Sequence, residues 1–155
     1  MGRKRVVKTY NDTSASGDRT PIKGDRYFVR VELVSLKMED TADAMGRTSE
    51  LYMKTGGKGL FKFDQRTPNV GTINLDLNEN FTSNERLTLY SAFIDKKGGG
   101  SIEIPFKVYD QDLGKDDKLV DTQLSVSLGQ NTEYQSFLEN GVKIKIGVSA
   151  NETRY

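Results

Sequence analysis

The 155-residue chain has no cysteine, no histidine and no tryptophan, and only three prolines. Without cysteine it has no disulfide, no thiolate nucleophile and no sulfur ligand; without histidine it lacks the usual general base and the commonest transition-metal ligand. Triad catalysis and ordinary zinc centres are therefore excluded. No apolar run reaches the roughly 18 residues of a membrane-spanning helix, and no charged-then-apolar leader opens the chain. A soluble, cytoplasmic chain is therefore expected. With 29% charged residues and a mean hydropathy of -0.62, the apolar content suffices for one core and not for two.

Charge is nearly balanced overall, at +1, but unevenly spread. Residues 1–23 carry Arg3, Lys4, Arg5, Lys8, Arg19 and Lys23 against Asp12 and Asp18, a net of +4. The same stretch is polar, without apolar periodicity, and rich in Ser, Thr, Asp and Gly. Residues 1–24 are thus expected to form a flexible basic arm ahead of a folded domain at 25–155. Arg3, Lys4, Arg5 and Lys8 suit an anionic partner, nucleic acid included; a solubilising tail is the plainer alternative.

From Tyr27 onward the pattern has period two. Tyr27, Val29, Val31 and Leu33 share one face, with Arg30 and Glu32 on the other, as a half-buried strand requires. Similar alternation runs through Ile73, Leu75 and Leu77; Leu87, Leu89 and Phe93; Ile102, Ile104, Phe106 and Val108; Leu124, Val126 and Leu128; and Val142, Ile144, Ile146 and Val148. ELYMK and LFKF are shorter strand candidates, and TEYQSFLEN reads as a helical turn or a strand. Gly56-Gly57, Pro68, KKGGGS and Asn140-Gly141 supply the turns. Pro105, inside a strong strand, predicts an edge or a bulge. The class expected is all-β, a single antiparallel eight-stranded sandwich.

One segment stands out chemically: VYDQDLGKDDKLVD places Asp110, Asp112, Asp116, Asp117 and Asp121 within twelve positions. Neighbouring carboxylates repel one another, so such a cluster is either solvated on an exposed turn or neutralised by a cation. Asp110, Asp112 and Asp121 match positions 1, 3 and 12 of an EF-hand loop, but the glycine is misplaced and the flanks alternate as strands, which rejects that motif. Instead, VYDQDLGKDDKL resembles the third top loop of C2 domains, in which V-x-D-x-D leads to a loop closing on D-D and an apolar residue. MGRTSELYMK, at 45–54, resembles the C2 segment running from a glycine-bearing first loop into S-D-P-Y-V-K. Glu50 stands at the aspartate of that motif and Leu51 at its proline; Ala44, flanked by Asp43, stands at the first-loop aspartate.

The resemblance implies a C2-like Greek key that docks on anionic phospholipid or a protein partner under the control of calcium, with peripheral membrane attachment. It implies Asp43, Glu50, Asp110, Asp112, Asp116 and Asp117 as Ca²⁺ ligands, and Met45 and Leu113 as loop-tip residues touching lipid. The alternative is a structural subunit of an oligomer, a small coat-like sandwich whose basic arm binds nucleic acid. No catalytic residue is assigned, and an enzyme is not expected. Lys54, Lys58 and Lys62 around KTGGKGLFKF form either a basic strand face for phosphate or a solvated surface, the second being the plainer reading.

Overall fold

A computed structural model describes residues 6–11, 26–39, 48–81 and 87–153. Among them eleven strands form: β1 (Val6–Asn11), β2 (Arg26–Met38), β3 (Ser49–Lys58), β4 (Phe61–Thr67), β5 (Ile73–Leu75), β6 (Asn80–Phe81), β7 (Leu87–Asp95), β8 (Ser101–Asp110), β9 (Asp117–Ser127), β10 (Glu133–Glu139) and β11 (Val142–Glu152). One sheet runs β1-β10-β11-β2, with β6 and β7 following each other along the far edge of β2. The other runs β4-β3-β8-β9, with β5 continuing the line of β4 along β3. The chain changes sheet between β2 and β3, β5 and β6, β7 and β8, and β9 and β10. Those crossings gather the connecting loops at the two ends of the sandwich.

Alternation builds the core as the sequence predicts, with Val29, Val31, Leu36, Ile104, Phe106, Val108, Leu124, Ile144 and Ile146 at 0–1% exposure. Each such side chain contributes on the order of 1.5–3 kcal/mol by leaving water. Two bulges reset the phase. In β2, Leu33 faces Ile146 and Ser35 faces Lys145, which leaves Val34 as the extra residue and returns Leu36 and Met38 to the interior. In β7, Tyr90 faces Val31 and Thr88 faces Glu32, so Leu89 is extra and both Leu89 and Tyr90 are buried.

Several expectations change. Phe93, expected in the core, is 57% exposed because the bulge at Leu89 gives the inward position to Ile94; its ring lies 5.0 Å from Phe28 and beneath the Arg26 guanidinium. Leu77 is half-exposed in the turn beyond β5. Of its two readings, TEYQSFLEN takes the strand, β10, between β1 and β11. Val6–Asn11, placed in the flexible arm, pairs with β10 as an edge strand, with Lys8 opposite Ser136. These account for the excess over eight strands: β1, β6 and β10. Pro105 lies in a central strand, yet β3 pairs with β8 only over Phe106–Asp110, so the proline sits where the β3 side of the ladder has ended.

Two hydroxyls sit badly in this core. Thr55 and Thr122, cross-strand neighbours of Phe106, are 0% and 4% exposed and their Oγ1 atoms have no hydrogen-bond partner among the described residues. A buried unsatisfied hydroxyl costs stability that an isosteric methyl does not. Thr55→Val is therefore expected to stabilise the fold by up to about 1 kcal/mol, read as a rise in Tm of roughly 2–4 °C.

Candidate functional site

The end of β2, the start of β3, the β5–β6 turn, the β8–β9 loop and the β10–β11 hairpin meet at one end of the sandwich. Backbone bonds stitch them together: Glu39 N–H donates to Gly141 O at 2.7 Å, Asn78 N–H to Met38 O at 2.6 Å, and Gln111 N–H to Glu50 O at 2.8 Å. The Asn140 amide donates to Leu119 O at 2.7 Å. Glu50 and the aspartates after Tyr109, separated by 60 positions, therefore lie side by side, with the Glu50 N–H donating to Asp110 Oδ1 at 3.0 Å.

On the outer face of the second sheet, immediately below this loop, the strand register aligns cations. Arg66 on β4 is directly opposite Lys54 on β3, and Lys54 is directly opposite Lys107 on β8. One step toward the loop, Tyr52 faces Tyr109 and the rings stack at 5.1 Å and 11°. The Arg66 guanidinium lies 4.1 Å from the centre of the Tyr52 ring, and Lys54 Nζ lies 5.6 Å from that of Tyr109. The pattern that produces this surface is short: Tyr52-Met53-Lys54 and Lys107-Val108-Tyr109 each bury the middle residue and turn an aromatic and a cation outward. Like charges facing across strands repel, and Asp121, opposite Lys107 on β9, and Asp116 offset only part of that repulsion.

Asp116 joins the loop to this face. Its Oδ2 accepts the Tyr52 hydroxyl and its Oδ1 accepts the Asp112 N–H at 3.0 Å. These donors, the hydroxyl first, hold the Asp116 carboxyl below its ordinary pKa, with help from Arg66 and Lys54. Tyr52 is pushed up to about 12, by burial first and then by the hydrogen bond and charge of Asp116. The raised tyrosine contributes stability that is whole below the unfolded value of 10 and is lost as pH climbs to about 12. The lowered carboxyl contributes stability above the ordinary value of 3.8 that is lost as pH falls through its own lower value. Denaturant midpoints are accordingly expected to decline from pH 10 to pH 12, with a smaller decline in Tyr52→Phe. Tyr90, shifted upward by burial, contributes in the same direction.

The residues assigned from the sequence divide as follows. Glu50, Asp112 and Asp117 are exposed, Asp110 and Asp116 are half-buried, and Leu113 projects fully into solvent at the loop tip. Asp121 pairs with Lys118 at 2.8 Å. Asp43, Met45, Arg3, Lys4 and Arg5 lie outside the described residues. Among the described residues no three carboxylates gather in a metal-binding group. Calcium needs six to eight oxygens around one centre, whereas both Asp116 oxygens and one Asp110 oxygen are aimed at the protein's own donors. The described carboxylates do not fit a calcium shell. Sequence reasoning missed Tyr52, Arg66, Lys107 and Tyr109, which only register brings together.

No protein-family model and no curated protein sequence matches the chain. Its backbone is similar to a C2 domain of plant extended synaptotagmin 1, with a TM-score of 0.57 and 14% identity over 86% of this chain and 100% of that domain. The fold is C2-like. A similar body occurs in human GIVD cytosolic phospholipase A2, solved with methyl γ-linolenyl fluorophosphonate, at a TM-score of 0.59 and 14% identity over 85% of this chain. The C2-like chain spans 18% of the length of that enzyme. At such identities the likeness lies in the backbone, and the cation-aromatic face is described by this chain's own residues.

Proposed function

We propose that this C2-like chain is a non-enzymatic docking module that seats on anionic phospholipid through the outer face of β3, β4 and β8, with the β8–β9 loop against the bilayer. The observation that carries the proposal is the Arg66–Lys54–Lys107 row. Three cations held cross-strand repel one another in the free protein, and an anionic surface laid over them offsets that repulsion. The tyrosine stack holds two of the cationic groups, Arg66 and Lys54, over its rings. Leu113, 108% exposed, stands on the loop that Asp116 ties to the same face. An apolar tip beside a basic surface suits the headgroup–acyl boundary. The phospholipase with a similar sandwich is, by its name, an enzyme of phospholipids, which favours lipid over protein as the anion.

No helix among the described residues is long and apolar enough to cross a membrane. Nothing among the described residues favours the coat-subunit alternative. Sedimentation with vesicles tests the proposal. The chain is expected to pellet with phosphatidylcholine vesicles containing phosphatidylserine, to stay in solution with phosphatidylcholine alone, and to be released as salt shortens the Debye length below about 10 Å. Leu113→Ser, which touches no packed neighbour, is expected to weaken pelleting by about ten-fold with an unchanged Tm. Equal pelleting with neutral vesicles, or none with anionic ones, overturns the proposal.

A further inference from the structure

We infer that the β8–β9 loop is held in docking geometry by a strut running from the Tyr52 hydroxyl through the Asp116 carboxylate to the Asp112 amide, so that binding to anionic lipid proceeds without calcium. The inference rests on the docking proposal for its functional half; the strut stands on geometry alone. In a loop this acidic, a divalent cation is one way to neutralise repulsion and fix the backbone. Here both tasks fall to the protein's own groups. Asp116 is the central anion, and it receives a hydroxyl from β3 on one oxygen and a backbone N–H across the loop on the other. Asp110 is turned onto the Glu50 N–H, while the Glu50 carbonyl accepts from Gln111, which locks the other stem of the loop to β3.

The surroundings also disfavour a cation. The Arg66 guanidinium lies on the Tyr52 ring at 4.1 Å, beside the strut, and the charges of Arg66 and Lys54 act directly on Asp116. A Ca²⁺ ion drawing Asp116 away would break two hydrogen bonds and approach those two positive groups. Asp112 and Asp117 remain exposed, but no third carboxylate among the described residues gathers with them. The strut also explains why Tyr52 is a tyrosine at 7% exposure: its ring packs against Tyr109 and Arg66 while its hydroxyl reaches the loop.

Tyr52→Phe keeps the ring, the charge and the packing and removes only the hydroxyl. Wild-type chain is expected to bind phosphatidylserine vesicles equally in calcium and in chelator, and its Tm is expected to be the same in both. Tyr52→Phe is expected to bind about five-fold more weakly in both conditions, as the loss of one charge-assisted hydrogen bond implies, and to exchange the Asp112 amide faster. A calcium requirement for wild-type binding, a calcium-dependent Tm, or unchanged Asp112 exchange in the variant overturns the inference. If wild-type chain binds no anionic vesicle at all, the docking proposal falls, and the calcium-dependent Tm and Asp112 exchange still decide the strut.

Discussion

Replacing Lys54, Arg66 and Lys107 together by glutamine is expected to weaken binding to phosphatidylserine vesicles by on the order of a hundred-fold while costing the fold at most about 1–2 kcal/mol. Each basic group near an anionic membrane contributes about 1 kcal/mol, so three neutralisations amount to about 3 kcal/mol of binding. The contrast between a large loss of binding and a small change in stability separates this surface from an ordinary structural one. The three side chains face each other across adjacent strands, Arg66 to Lys54 and Lys54 to Lys107, so removing their charges relieves repulsion. The opposing losses are the cation–π contacts of Arg66 on Tyr52 and of Lys54 on Tyr109, worth about 0.5–1 kcal/mol each at exposed sites, the Arg66 hydrogen bond to Pro68 O and the attraction of Arg66 and Lys54 to Asp116. A triple variant that keeps its denaturant midpoint and loses vesicle binding marks the row as a binding surface. A variant that unfolds and retains binding when refolded at low temperature would make the row structural. As a further control, Lys37→Gln on the opposite sheet is expected to leave binding unchanged within a factor of two or so.

Gly56→Val is expected to be the most damaging single substitution near the site. Gly56 has φ +93, and a Cβ there would meet Phe63 O at 2.5 Å and Tyr90 Cε1 at 2.6 Å. A β-branched side chain would have to adopt a backbone conformation it avoids and also displace both the β4 backbone and a buried ring that packs edge-on against Phe61. Strain and overpacking together are on the order of 3–4 kcal/mol, which lowers Tm by roughly 10 °C. Because Gly56 sits where the β3–β4 register shifts, relief by sliding β4 would carry Arg66 away from Lys54 and weaken vesicle binding as well. Gly59, in the turn of the same hairpin, has φ +64 but nothing within 4 Å of a Cβ. Gly59→Ala is the matched control, in which only the backbone term of about 1 kcal/mol is felt.

The sandwich could be read from the sequence wherever strand alternation was left undisturbed. Tyr27 to Leu33 and Val142 to Val148 each bury every second residue as their pattern predicts. Alternation fails as a guide at positions governed by long-range pairing. Phe93 sits on the apolar phase of its own strand, but the bulge at Leu89, created by pairing with β2, inverts that phase before the chain reaches it. Val6–Asn11 is short and polar, and it becomes a strand because β10 offers it an edge. The site divides in the same way. Asp116 announced itself through local charge density, and the neighbourhood of Glu50 and Asp110 followed from a motif. The role of Asp116 did not, because the Tyr52 hydroxyl that claims it lies 64 positions away. Lys54 is visible beside Lys58 and Lys62 along one hairpin, whereas its register neighbours, Arg66 and Lys107, come from the strands on either side. Charge counted along the chain finds runs; only register finds rows.

The most direct test is to map the lipid contact by amide NMR, titrating the labelled full chain with phosphatidylserine-containing bicelles in the presence of chelator. Shifts and broadening confined to Tyr52, Lys54, Arg66, Lys107, Tyr109 and the loop around Leu113 are expected. Perturbation of the opposite sheet around Lys37, Lys143 and Lys145, or a spectrum that responds only once calcium is added, would contradict docking through a preassembled cationic face.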